Sequence, residues 1–91
     1  MKAIRIRKGN SLLKDDGFVF IKVSRITNYE IVHDPTRNMV NMQIFLEDNQ
    51  ELIHLEKEMT LKDKNKFLQS WNLFIINMDY FFDLADFKRI V

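Results

Sequence analysis

Cysteine is absent from this 91-residue chain. That removes disulfide frameworks, thiolate metal sites and cysteine nucleophiles together, and it suits a reducing compartment. Glycine occurs twice and proline once, too few for a long flexible linker or a glycine-rich phosphate cradle. No apolar run exceeds four residues, the longest being 18–21 and 73–76, whereas a membrane span needs about eighteen. Residues 1–16 hold no apolar stretch of signal-peptide length. Charge of one sign is lacking as well, with fourteen basic and thirteen acidic side chains and a net of +1. These absences predict a cytoplasmic protein without a membrane-spanning segment.

What is present is the composition of a folded domain. The chain is 46% hydrophobic and 30% charged, with eight Phe, one Trp and two Tyr, well away from the profile of disorder. Residues 1–91 form a single domain, a size that buries about 60–65% of the surface its unfolded chain exposes. Charge is unevenly spread. Residues 1–25 carry seven basic and two acidic side chains, and residues 41–91 carry six basic and nine acidic. Such polarity suits a polyanion or basic-to-acidic docking of subunits, although solvated surface charge is the ordinary explanation.

Residues 2–8 alternate, with Ile4 and Ile6 on one face and Arg5 and Arg7 on the other, the period of a half-buried strand. Gly9-Asn10-Ser11 and Lys14-Asp15-Asp16-Gly17 are turn signals around an irregular connection. Residues 18–21 are apolar on both faces, which predicts a central strand covered on both sides. Alternation then breaks near residues 24–27, the mark of a bulge or bend. Asp34-Pro35-Thr36-Arg37-Asn38 reads as a loop, since Pro presets φ, Asp bonds the backbone two residues on and Asn tolerates a left-handed conformation. Residues 39–47 alternate most cleanly, with Val40, Met42, Ile44 and Leu46 inward and Phe45 on the polar side. Residues 47–50 make a hairpin turn and 51–56 the return strand, with Ile53 and Leu55 inward.

Thr60-Leu61-Lys62-Asp63 has capping-box spacing and opens a helix predicted over 60–84. At 100° per residue, Phe67, Leu68, Trp71, Phe74, Ile75, Met78, Phe81 and Phe82 share one arc that packs on the sheet. Leu73, Ile76, Tyr80 and Leu84 recur on nearly the opposite side at spacings of three and four. A helix covering one small core needs a single apolar stripe, so the second predicts a further burial, by a second subunit, another protein or the tail 85–91; the alternative is a helix that stops near Met78, after which the spacing has no helical meaning. The fold class is therefore α+β: residues 1–58 form an antiparallel meander of four to five strands, packed against one long C-terminal helix.

Chemistry-bearing patterns are sparse. His33 and His54 stand alone on different strands, without the ligand spacing of a metal site. Ser11, Ser24 and Ser70 lie in no nucleophile elbow, and Asp15-Asp16 falls in a turn where carboxylates are solvated. No enzyme activity, metal or cofactor is expected. The leading expectation is a non-enzymatic interaction module that forms a homodimer, or binds another protein, through Leu73, Ile76, Tyr80 and Leu84. The alternative is a small nucleic-acid-binding protein using Arg5, Arg7, Lys22 and Arg25. Phe18, Phe20 and Tyr29 lie near those basic residues, but apolar runs of this kind ordinarily belong to a core.

Overall fold

Alternation along the strands divides the chain into an inward and an outward set, and two sheets result. The computed structural model describes residues 2–9, 17–76 and 81–90. Its elements in chain order are β1 (Ala3–Arg7), β2 (Phe18–Lys22), a short 3₁₀ turn (Val23–Arg25), β3 (Ile26–Asp34), β4 (Met39–Asp48) and β5 (Glu51–Thr60). The helix α1 (Leu61–Ile76) follows, then β6 (Phe81–Asp83) and β7 (Lys88–Ile90). The first sheet has the order β2-β1-β6 and the second the order β3-β4-β5-β7. The chain crosses between them three times: through the 3₁₀ turn after β2, from β5 by way of α1 to β6, and through residues 84–87 after β6.

The core lies where the inward faces of both sheets meet α1. Ile4, Ile6 and Ile21 come from the first sheet, and Val40, Met42, Ile44, Leu46, Ile53, Leu55 and Met59 from the second; all are buried. At about 1.5–3 kcal/mol for each fully buried aliphatic side chain, this set is the main favourable contribution to folding. The expected meander appears as β3-β4-β5, paired antiparallel from Ile26 to Thr60. The break in alternation appears as the 3₁₀ turn and a register shift between Ile26 and Asn28. Asn49 and Gln50 both take positive φ (51° and 66°) between the paired Asp48 and Glu51, a two-residue turn whose twist matches the flanking strands. Phe45, outward on β4, stacks on His54 of β5 at 4.5 Å.

The β3–β4 loop is held as its residues dictate. Asp34 accepts from the Thr36 backbone N–H at 3.2 Å and from the Thr36 hydroxyl at 2.7 Å. Arg37 donates to Asp34 at 2.7 Å and reaches Glu58 of β5 at 2.9 Å, while Asn38 takes φ 54°. At the start of α1 the Thr60 hydroxyl accepts from the Asp63 N–H at 3.1 Å, capping the helix.

Two expectations are corrected. β2 is an edge strand, with Ile21 inward and Phe18 and Phe20 exposed, because only its side facing β1 is paired. The helix ends at Ile76 instead of continuing to 84. A helix over 60–84 would run about 37 Å, as long as the whole molecule at 38 Å, and would leave β1 unpaired on one side. Instead Phe81–Asp83 joins β1 in parallel, and the Leu84 N–H donates to the Arg5 carbonyl at 2.8 Å. The tail, expected to continue the helix or fold back, folds back over residues 85–90. Leu84, Ala85 and Phe87 are buried and β7 pairs with β5.

Two outcomes check this arrangement. Leu84→Ala is expected to cost about 2–5 kcal/mol in urea unfolding, against about 0.5 kcal/mol or less for Ile76→Ala; equal small losses would place Leu84 outside the core. The Arg37 guanidinium, and after it the Thr36 hydroxyl, hold the Asp34 carboxyl at about 2. A depressed carboxyl stabilises the folded loop above the usual range near 3.9, and that contribution is lost as pH falls through about 2. An NMR titration should find the midpoint there, with Arg37→Ala raising it toward the usual range while the Thr36 bonds keep it below.

Candidate functional site

Directly paired residues of neighbouring strands share a face, so the register defines the outer surface of the first sheet. Arg5 lies opposite Phe20, Arg7 opposite Phe18, and Ala3 opposite Lys22. On the other side of β1, Phe81 lies opposite Ala3 and Asp83 opposite Arg5. Since Ile4 and Ile6 point inward, all of these side chains point outward. The result is a face of three phenylalanines, two arginines, a lysine and one aspartate. Phe20 is 60% exposed and Phe81 51%, and Phe18 is exposed as well.

A ladder of contacts crosses this face. Arg5 bonds Asp83 with two nitrogens, the Nε contact measuring 3.2 Å. The same guanidinium lies 4.5 Å from the Phe18 ring centroid. Arg7 sits 5.4 Å from that ring and donates to the Ala85 carbonyl at 2.9 Å. Phe20 and Phe81 meet edge to face at 5.8 Å across Ala3. Arg5 holds the Asp83 carboxyl below the usual carboxylate range, and Asp83 in turn raises the Arg5 guanidinium.

The last turn of α1 borders the same region. Lys2 donates to the Ile75 carbonyl and stands 5.7 Å from the Phe74 ring, tying the helix end to the start of β1. Phe74 is buried, while Leu73 is 52% and Ile76 77% exposed, with Ile75 also open to solvent. Of the four residues expected to form an interface, Leu73 and Ile76 therefore lie on an open helix surface. Leu84 does not. It is fully buried beside β1, because residue 84 no longer belongs to the helix. Tyr80 lies outside the described residues. Of the four basic residues expected to bind nucleic acid, Arg5, Arg7 and Lys22 come together on one face, whereas Arg25 stands at the 3₁₀ turn, 3.7 Å from Asp48.

Phe20 and Phe81 were not among the expected site residues. Lys22 carries the signal that assigns Phe20: Phe18, Phe20 and Lys22 share one parity, and the charged member marks it as the outward one. Nothing local assigns Phe81, whose spacing also fits a helix.

Elsewhere the chemistry is modest. His54 bonds Gln43 at 3.0 Å on the outer face of the second sheet, and His33 is exposed on β3. Among the described residues, no three His, Asp or Glu side chains are grouped to hold a metal ion, and no helix is long and apolar enough to cross a membrane. Between α1 and the second sheet, a crevice bounded by Ile26, Tyr29, Met42, Phe67 and Trp71 offers about 20 Å³, room for about one water. A substrate of ordinary size does not fit there. No family model, curated protein or solved structure matches the chain.

The Arg5–Asp83 pair is directly testable. Because the Asp83 carboxyl is depressed, its pairing stabilises the fold above the usual range and is lost as pH falls below it. Arg5→Gln is expected to move the Asp83 midpoint upward in an NMR titration; an unmoved midpoint would show that Arg5 is not the cause.

Proposed function

We propose that this protein is a non-enzymatic binding module that associates with a second copy of itself through the outer side of the last turns of α1 and the adjoining Phe81. The supporting observation is the exposure of Leu73, Ile75, Ile76 and Phe81 around a helix end already anchored on its other side by Phe74. Exposed apolar patches characterise interaction surfaces in small proteins, and these four side chains lie on the last turns of α1 and at the start of β6.

Magnitude decides what sort of association to expect. Covering the exposed fraction of these four side chains in both copies yields about 7–13 kcal/mol gross, at about 1.5–3 kcal/mol for each complete burial. Association costs about 4–15 kcal/mol. The expected dimer is weak and dependent on concentration. A tight dimer would need the two further residues of the stripe, and Leu84 is committed to the core. A two-fold arrangement suits the patch, since the apolar side chains of one copy can cover those of the other. The cysteine-free composition supports placing the module in a reducing compartment such as the cytoplasm.

Light scattering on a size-exclusion column tests the reading. The mass is expected to rise from 11.0 kDa toward twice that value as concentration increases. Leu73→Asp with Ile76→Asp should return it to the monomer without loss of folded structure. A monomer at every concentration, or an unchanged mass in the double variant, would overturn the assignment.

A further inference from the structure

We propose that the outer face of the first sheet binds single-stranded nucleic acid, with Phe20 and Phe81 stacking on bases and Lys22, aided by Arg5 and Arg7, pairing with phosphates. The inference is independent of the self-association reading, although Phe81 stands where the two surfaces meet.

The apolar side of the argument is geometric. Three phenylalanines point into solvent from a sheet of three short strands. The core they might have joined is already filled from the opposite face by Ile4, Ile6 and Ile21. Among them Phe18 is partly covered by the two guanidinium groups, so Phe20 and Phe81 are the rings left open. Their edge-to-face contact covers only one face of one ring, and Ala3 beneath them leaves room above the sheet. Stacking on aromatic side chains tolerates any base, because every base presents a flat π surface.

Charge complementarity selects the occupant. Arg5, Arg7 and Lys22 face outward; among the described residues of the three strands Asp83 is the one acidic side chain on that face, with Asp86 also near enough to act on Arg5. On the outer face of the second sheet the register places Glu30, Glu47, Glu56 and Glu58 with Lys88, and Arg37 from the β3–β4 loop reaches Glu58, so acidic side chains outnumber basic ones there. A polyanion is thus attracted to one side of the molecule and repelled from the other. Duplex bases are stacked on one another and offer no face to a flat sheet, so a single strand fits and a double strand does not. With strands about 4.8 Å apart, the face has room for about two or three nucleotides, the number a comparable sheet surface accommodates.

The test uses the full chain and a fluorescently labelled mixed-sequence ten-nucleotide single strand, as DNA and as RNA, followed by anisotropy. Two or three phosphate contacts, each contributing a slope of about −0.7, predict an affinity about 7- to 20-fold weaker at 200 mM than at 50 mM salt. Phe20→Ala should weaken binding about 5- to 150-fold at either salt concentration. Lys22→Gln should instead flatten the salt dependence, and neither exposed side chain is needed for folding, which circular dichroism checks. Leu73→Asp with Ile76→Asp should leave binding in place even where it abolishes self-association, so the two readings can fail separately. The proposal is overturned by absence of binding at 50 mM salt, by affinity indifferent to salt, or by a Phe20→Ala protein that binds as the parent does. A Phe20→Ala protein that loses only its self-association would likewise overturn it, assigning the face to a second copy of the chain.

Discussion

Phe82 stands where three parts of the chain meet, and the placement of most other elements depends on it. Its ring packs edge to face against Trp71 at 5.2 Å and Phe67 at 5.6 Å, and obliquely against Phe74 at 5.4 Å, so it holds three successive turns of α1. Its backbone lies opposite Ile4 in the parallel pairing of β6 with β1. One residue therefore fastens the helix to the first sheet. Aromatic pairs in these orientations contribute about 0.5–1.5 kcal/mol each beyond the area they bury, and here three converge on one ring. From that point the remaining chain has little freedom. Leu84 enters the core, Phe87 reaches Phe67 at 5.5 Å, and β7 completes the second sheet against β5.

The same alternation that turns Phe82 inward turns Phe81 and Asp83 outward, and thereby builds the exposed face. Asp83 reaches Arg5 and positions it over Phe18, while Phe81 meets Phe20 from the far edge of the sheet. Core and surface are two sides of a single pairing. The outward residues of the candidate surfaces sit on strands, and the helix end is held by Lys2 and by the buried Phe74. Such anchoring lowers the entropy lost when a partner binds.

How far these features are legible in the chain varies with the range of the interactions that make them. β4 and β5 are read directly, because each alternates over many residues and the intervening turn has residues that tolerate positive φ. The Thr60 cap and the Asp34 loop are equally local, each depending on contacts within three residues. Residues 18–21 mislead, since a run of apolar side chains on both faces describes a central strand as well as an edge strand carrying exposed phenylalanines. The C-terminal third misleads more. Phe81, Phe82 and Leu84 continue a helical period by coincidence, and local spacing carries no trace of the β1 edge waiting to be paired about eighty residues earlier.

By itself, then, the amino-acid sequence determined a cysteine-free α+β domain, its central meander, its helix start and the outward set of β1, because periodicity, capping and turn chemistry act between near neighbours. Where the helix stops, which edge β6 occupies, and which phenylalanines face water were decided only by the tertiary structure. Those outcomes depend on hydrogen bonds and ring contacts between residues far apart in the chain, such as Leu84 with Arg5 and Phe81 with Phe20. No window of sequence contains both partners, so the choice is made when the two sheets and the helix close on one core.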